Sequence, residues 1–367
     1  MVVKDQLRTY LEQLCEQGGS DLHLKVGSPP RIRVAGALRR LEGEQVTPEF
    51  TAELGGEIMR DHHIEAFENR SEVDFAFSVR GVGRFRVNAY RQRGSVGLVF
   101  HRVRMQAVGL EELALPAVVK LLADDARGLV IVAGGTGSGK TTTMAAMVDY
   151  INRTKEVHII TIEDPIEVIH SDQIASVSQR EIGFDTNDFS GALTAALHQD
   201  PDVILVGELR DQESADLILS AAESGHLVIT SLNTPDAPTT INRFLDFFPS
   251  SQQLQVRARI SNVLRGTICQ RLVPRSDGKG RVAAVEVMVA NEKIRACIME
   301  PDSTQSLRRL IAEGGFFGMQ TFDESLTKLY EDGLIDLQKA TQTSGLSGMR
   351  SSATGQVMVA PTPPRAV

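Results

Sequence analysis

Gly128-Leu-Val-Ile-Val-Ala-Gly-Gly-Thr-Gly-Ser-Gly-Lys-Thr-Thr-Thr143 is the stretch on which the reading of this chain turns. Its apolar run, Leu129 to Ala133, predicts a buried parallel strand. The strand leads directly into Gly134-x-x-x-x-Gly139-Lys140-Thr141, and apolar positions at Met144, Met147, Val148 and Ile151 then follow at helical spacing. Strand, glycine-rich loop and helix in that order are what a phosphate-binding loop requires. Glycines let successive backbone N–H groups turn toward phosphate oxygens, and the helix N-terminus adds its positive end. The expected nucleotide contacts run from Gly134, Gly135, Thr136, Gly137, Ser138 and Gly139 through Lys140, Thr141 and Thr142. Lys140 can reach the terminal phosphates, and the Thr141 hydroxyl can ligate Mg²⁺. The stretch is therefore read as a nucleoside triphosphate site.

Downstream, three more apolar runs each end in a polar residue. His158-Ile-Ile-Thr-Ile162 ends in Glu163, Val203-Ile-Leu-Val-Gly207 in Glu208, and His226-Leu-Val-Ile-Thr-Ser-Leu232 in Asn233. Such a strand–helix alternation predicts a parallel sheet covered on both faces. Ligands of open α/β sheets bind beyond the carboxyl ends of the strands, where these residues fall. Phosphoryl transfer to water needs a metal and a group that orients or deprotonates the water. Glu208 is the expected Mg²⁺ ligand, direct or through water, and Glu163 the water-activating carboxylate; the two roles are interchangeable at this level. Asn233 stands where it can contact the terminal phosphate or the water. His226 opens its strand at the opposite end, where a satisfied core or interface side chain is the ordinary role of a histidine.

The N-terminal hundred residues read as a compact α+β domain. Leu7, Leu11 and Leu14 have helical spacing, and Ser20–Lys25 and Arg31–Ala35 alternate as half-buried strands do. Thr47-Pro48 predicts a helix reaching to about Asn69, followed by strands at Glu72–Val79, Arg84–Arg91 and Ser95–Val103. Arg84, Arg86 and Asn88 share one face of the second of these, with Phe85, Val87 and Ala89 on the other. That arginine face is either a solvated surface or a donor of arginines to a nucleotide in an adjacent subunit. A helix beginning near Leu110 or Pro116 is expected before the phosphate loop. After it, an amphipathic helix is expected over Ser250–Arg271, with Leu254, Val256, Ile260 and Val263/Leu264 as its stripe. A turn at Ser276–Gly280 leads to a strand over Val282–Met288, and Thr321-Phe-Asp-Glu324 is a helix-capping box. The expected domains are 1–105, a linker over 106–115, an ATPase domain over 116–341, and a Ser/Gly/Thr/Pro-rich disordered tail over 342–367.

The net charge of −8 speaks against nucleic acid as the main partner. Cys15, Cys269 and Cys297 are too few for a four-cysteine zinc site, and their wide spacing suits a reducing compartment. Neither a leader-like N-terminus nor an apolar run long enough to cross a bilayer is visible, so a cytoplasmic protein is expected.

Four motifs then resemble one family. Gly134–Thr143 is similar to its Walker A, and Thr161-Ile-Glu-Asp-Pro-Ile-Glu167 to its aspartate box. Pro201–Asp211 resembles its Walker B, and Ala221-Ala-Glu-Ser-Gly-His-Leu-Val228 the first half of its histidine box. Together they resemble the secretion ATPases of type II and type IV pilus systems. Gly19-Ser-Asp-Leu-His23, Arg84-Phe-Arg-Val-Asn88 and Gly318-Met-Gln-Thr-Phe-Asp323 narrow the likeness to the pilus retraction ATPases. The resemblance implies a PAS-like N-terminal domain, then a RecA-like ATPase domain with a C-terminal helical subdomain. It implies a homo-hexameric motor using ATP and Mg²⁺ at the inner face of the cytoplasmic membrane, with meander arginines completing the site. Catalytic parts for Lys140, Glu163, Glu208, Asn233, His226, Arg84 and Arg86 follow from the same likeness. Implied partners are the inner-membrane pilus assembly platform protein and, for an accessory subunit, a second pilus ATPase; zinc and nucleic acid are not among them. This chain departs from the pattern at Asn233, where the histidine box has a second histidine, and at Lys293-Ile-Arg-Ala-Cys-Ile298, against Ala-Ile-Arg-Asn-Leu-Ile in the retraction motif. Ile294 and Arg295 keep the core of that motif, and the resemblance places force output there.

Overall fold

The computed structural model describes residues 2–34, 36–103, 106–278, 280–301, 304–336, 349–351 and 357–359, and groups them into two compact units. The first contains the described residues of 1–106 together with the short segment Pro165–His170. The second contains Ala107–Asp164 and the described residues from Ser171 onward.

In the first unit, α1 (Val2–Glu16) precedes β1 (Asp21–Leu24), β2 (Arg31–Val34) and β3 (Ala37–Arg40). Helices α2 (Pro48–Ile58) and α3 (Asp61–Arg70) follow, then β4 (Glu72–Val79), β5 (Gly83–Gln92) and β6 (Ser95–Arg102). The strands form one sheet in the order β3-β2-β1-β6-β5-β4, antiparallel throughout. Leu22, Leu24, Ile32, Phe85, Val87, Leu98 and Phe100 are buried with Leu7, Leu11 and Leu14 of α1 and Leu54 of α2. The single helix expected over 47–69 is two helices. Thr47 caps the first through the Phe50 N–H, as Thr-Pro predicts, but Met59 turns to an extended ψ of 143° and Arg60 starts the second. Strand β3 was not foreseen; all its residues are exposed, so it carries no alternation to read.

The second unit begins with α4 (Ala117–Asp124), β7 (Gly128–Ala133), α5 (Lys140–Thr154), β8 (His158–Glu163) and β9 (Ser176–Glu181). It continues through α6 (Phe189–Ala196), β10 (Val203–Val206), α7 (Gln212–Glu223), β11 (Leu227–Leu232), α8 (Ala237–Leu245) and α9 (Gln253–Val263). Strands β12 (Leu264–Pro274) and β13 (Arg281–Val289) lead to α10 (Glu292–Met299), α11 (Thr304–Ala312) and α12 (Phe322–Glu331). The sheet order is β13-β12-β7-β11-β10-β8-β9. All neighbours are parallel except the edge pair β12–β13. Alternate residues of β7 enter two cores: Leu129, Ile131 and Ala133 pack with α6 to α12, and Val130 and Val132 with α4 and α5. Both faces are thus covered, which is why β7 and β10 read as unbroken apolar runs and β8 and β11 as mainly apolar ones.

The helix expected over 250–271 ends at Val263; Leu264–Pro274 is a strand beside β7. Leu254, assigned to the apolar stripe, is 66% exposed. Beyond α12 the expected tail lies largely outside the described residues, within which β14 (Met349–Ser351) pairs antiparallel with β15 (Val357–Val359). Among the described residues no helix is long and apolar enough to cross a membrane.

Candidate phosphate-binding site

The loop between β7 and α5 is shaped by glycines with left-handed backbones: Gly134 at φ 147°, Gly137 at 74° and Gly139, the N-cap of α5, at 94°. A Cβ on Gly134 would stand 2.4 Å from Ser138 Oγ and 2.6 Å from the Gln270 carbonyl oxygen, so only glycine fits. Gly135, Thr136 and Gly137 are exposed, and Thr141 and Thr142 are half-buried in the first turn of α5. Lys140 Nζ donates to the carbonyls of Gly134 at 2.8 Å and Gly135 at 3.1 Å. Burial lowers its pKa from the ordinary lysine range, and the charge of Glu208 opposes that shift. The buried Ser138 hydroxyl has no protein partner among the described residues. An orphaned hydroxyl, a glycine cradle and an ammonium resting on its own loop fit the phosphates of a nucleotide.

Strand β12, absent from the sequence reading, forms the loop's second wall. Gln270 is buried there and donates from Nε2 to Thr143 Oγ1 in α5 at 2.8 Å, and Leu272 lies beneath Gly139. The signal that could have found it is Gly266-Thr-Ile268, poor in helix propensity and rich in β-branching.

The strand-end carboxylates differ in setting. Glu208 follows β10 and Gly207, has a 42% exposed side chain, and accepts from Arg210 Nε at 3.0 Å. Arg210 also binds Asp164 at 2.8 Å. Glu163 ends β8, is 9% exposed, and accepts from Thr161 Oγ1 at 2.6 Å and Gln179 Nε2 at 3.2 Å. Gln179 belongs to β9, an edge strand too polar to be read as one. By the sheet order, β10 lies two strand spacings from β7 and β8 three, about 10 Å and about 14 Å. Asn233 is exposed just past β11, next to the loop, because Gly134 N donates to the Leu232 carbonyl at 3.2 Å.

Other expected site residues fall elsewhere. His226 lies at the amino end of β11, where its backbone carbonyl accepts from Gly128 N and its Nδ1 donates to the Ala221 carbonyl at 2.9 Å. The fold therefore puts it at the far end of the strands from Gly134. Arg84 and Arg86 lie on β5 of the first unit, Arg86 beside Asp74 at 3.5 Å. In the motif resembling that of retraction, Ile294 is fully buried. Arg295 Nε donates to the Ala290 carbonyl at 2.9 Å, Nη1 to those of Ser261 and, at 2.7 Å, Asn262, and Nη2 to that of Leu264 at 3.0 Å. Arg295 thus closes the C-terminus of α9, and Arg257 of α9 returns the favour to Ile298 of α10 at 3.0 Å.

Among the described residues no three His, Cys, Asp or Glu side chains are grouped closely enough to hold a metal. A magnesium ion would then rely on phosphate oxygens with one or two side chains, the usual mode for that ion.

A family model described as Type II/IV secretion system protein matches residues 2–342. The chain is 46% identical over 327 residues to the "Type IV pilus retractation ATPase PilT" of Pseudomonas aeruginosa, covering 89% of this chain and 94% of that protein. It is 42% identical over 335 residues to the type IV pilus ATPase PilU of the same organism, covering 91% and 87% respectively. A crystal structure of the pilus retraction motor PilT with bound ADP superposes with a TM-score of 0.85 at 44% identity, covering 92% of this chain and 96% of that one.

Proposed function

The chain belongs to the type II/IV secretion system protein family, and from that premise we propose that it is an ATP-hydrolysing motor of type IV pilus retraction. The observation that carries the chemistry is the convergence of the phosphate loop, Asn233, Glu208 and Glu163 at the carboxyl ends of the neighbouring parallel strands β7, β11, β10 and β8. The solved relative that superposes on this chain holds ADP, which supports ATP as the nucleotide.

In this reading Lys140 leaves its loop carbonyls for the terminal phosphates, and the Ser138 hydroxyl gains a partner. Thr141 and the half-exposed Glu208 would hold Mg²⁺, which would supply charge stabilisation to the transferring phosphoryl group. Glu163 is the better base. Its carboxylate is oriented by Thr161 and Gln179, and it stands farther from the loop, where an attacking water needs room. Asn233 can donate and accept hydrogen bonds but cannot move a proton, so it senses the phosphate or the water.

Working as a homo-hexamer against a membrane platform protein is part of the same proposal, with Arg84 or Arg86 reaching a neighbour's nucleotide. Glu163→Gln should keep ATP binding while turnover falls by roughly 10²- to 10⁴-fold. Rings mixed from that protein and an Arg84→Ala/Arg86→Ala protein should regain part of the activity. Near wild-type hydrolysis by Glu163→Gln would move the base to Glu208, and mixed rings without recovery would return the arginines to a solvated face. The similarity to PilU favours a second reading, an accessory ATPase. Pilus retraction in cells whose sole pilus ATPase is this chain separates the two.

A further inference from the structure

Glu286 is a carboxylate that the chemistry above leaves without a task. It lies on β13, opposite the fully buried Cys269 of β12, and is itself 8% exposed. A buried carboxylate is expensive unless its charge is met by donors. Here Oε1 accepts from the Ala237 N–H at 2.8 Å, and Ala237 is the first residue of α8. The carboxylate therefore faces the positive end of that helix. Burial raises its pKa above the ordinary glutamate range and Asp236 adds to this, while the Ala237 N–H, Arg308 and Arg271 oppose it.

The start of α8 matters because only Thr234, Pro235 and Asp236 separate it from Asn233. On the strand side of that turn, Leu232 is paired with Ala133 of β7. On the helix side, Asp236 caps α8 by accepting from Thr239 N at 2.8 Å and pairs with Arg308 of α11 at 2.8 Å. Thr234 and Thr240 share a buried hydroxyl bond of 2.7 Å. Glu286 ties the first residue of α8 to β13, and one turn later Thr240 Oγ1 stands 3.8 Å from Cys269 Sγ of β12, the strand that walls the phosphate loop.

We propose that Glu286 is a positioning residue for ATP hydrolysis: by holding the first N–H of α8 it fixes the turn that presents Asn233 to the terminal phosphate. The inference rests on the reading of Asn233 given above. A displaced group of this kind lowers the rate of the chemical step without weakening binding of a nucleotide that lacks the terminal phosphate.

The test is steady-state hydrolysis and fluorescent-ADP affinity of the full chain carrying Glu286→Ala, Glu286→Gln, Asn233→Ala or Asn233→Ala with Glu286→Ala. Glu286→Ala should lower kcat roughly 10- to 100-fold with ADP affinity unchanged. Glu286→Gln, whose amide oxygen still accepts from Ala237, should recover most of that loss. In the Asn233→Ala background, Glu286→Ala should bring no further loss, since residues acting through one another are not additive. An equal fold-loss in that background, or wild-type kcat in Glu286→Ala, overturns the inference. If Asn233→Ala alone keeps wild-type kcat, the reading of Asn233 is what fails, and the inference falls with it. Should Glu286→Ala not fold, Glu286→Asp, which withdraws the carboxylate by one methylene, takes its place in the same comparison.

Discussion

The two ends of the ATPase sheet carry similar residue types and use them differently. At the carboxyl ends, Lys140 opens α5 after β7 and feels the charge of Glu208 beyond β10, and Glu163 ends β8 farther along the same edge. At the amino ends, basic side chains turn onto helix carbonyls. Arg295 closes α9, His226 binds the Ala221 carbonyl in the last turn of α7, and His158 Nδ1 donates to the Gln199 carbonyl beyond α6 at 3.0 Å. The difference follows from chain direction. In a strand–helix alternation one edge of the sheet receives helix N-termini, with free N–H groups, and the other receives C-termini, with free carbonyls. The first edge attracts phosphate; the second attracts cations from the protein itself. A histidine or arginine at the second edge is therefore a fastening before it is a catalyst.

Three substitutions can break or sharpen that contrast. The largest effect is expected from Gly134→Ala at the carboxyl edge. Its Cβ would collide with Ser138 and Gln270 on a left-handed backbone, a strain of roughly 1–3 kcal/mol that the loop can relieve only by opening. Nucleotide titration should show affinity falling at least ~10-fold, the equivalent of about 1.4 kcal/mol. Undiminished affinity would mean that the cradle is not the binding element.

Arg295→Ala belongs to the amino edge and should act on stability. Its charged hydrogen bonds to four carbonyl groups are half-buried, and their loss should remove about 1.5–3 kcal/mol, read as a lower midpoint in urea unfolding. ATP affinity of the folded protein should be unchanged. This is a different expectation from the one the retraction-like motif suggests, in which the arginine is free for force output. Unaltered stability with lost retraction in cells would restore that role and weaken the contrast.

The smallest effect is expected from His226→Ala. It removes one side-chain hydrogen bond to the end of α7, about 0.5–1.5 kcal/mol, and should leave kcat as it was. A large loss of kcat at unchanged stability would show that the histidine acts across the sheet.

What could be read in advance was whatever had one physical explanation. β7 and β10 are apolar throughout and β8 and β11 mainly so because both faces are covered; β8 ends in Glu163, and Glu208 and Asn233 follow β10 and β11. Their spatial order, with β8 farthest of the four from β7, is not written in any local pattern. Strand β12 is hidden because Leu264 and Ile268, four apart, continue the helical stripe of Leu254, Val256, Ile260 and Val263/Leu264, whereas a bulge between Leu264 and Gly266 sends the two into opposite cores. Strand β9 was missed because Ser176–Glu181 gives no apolar signal, so the partner of Glu163, Gln179, stayed hidden with it. The break at Met59–Arg60 has neither glycine nor proline to announce it. Glu286 reads as one more charged residue on an amphipathic strand until β13 is seen to be covered by α8 and α12.

The segment Pro165–His170 belongs to the first unit, although it follows the last residues of β8 directly. The aspartate-box stretch is thus shared, its first half in one unit and its second in the other. Ile166 is 3% exposed and Val168 6%. The chain therefore passes between units at 106–107, 164–165 and 170–171, and not once. That makes the two parts poor material for recombination. A gene cut at 106 and joined to the first unit of a relative would bring along a hexapeptide fitted to the wrong parent, with two apolar side chains left to find a new place. Exchange of such units between lineages would succeed only when the hexapeptide travels with the unit it serves, although the sequence files it with the other.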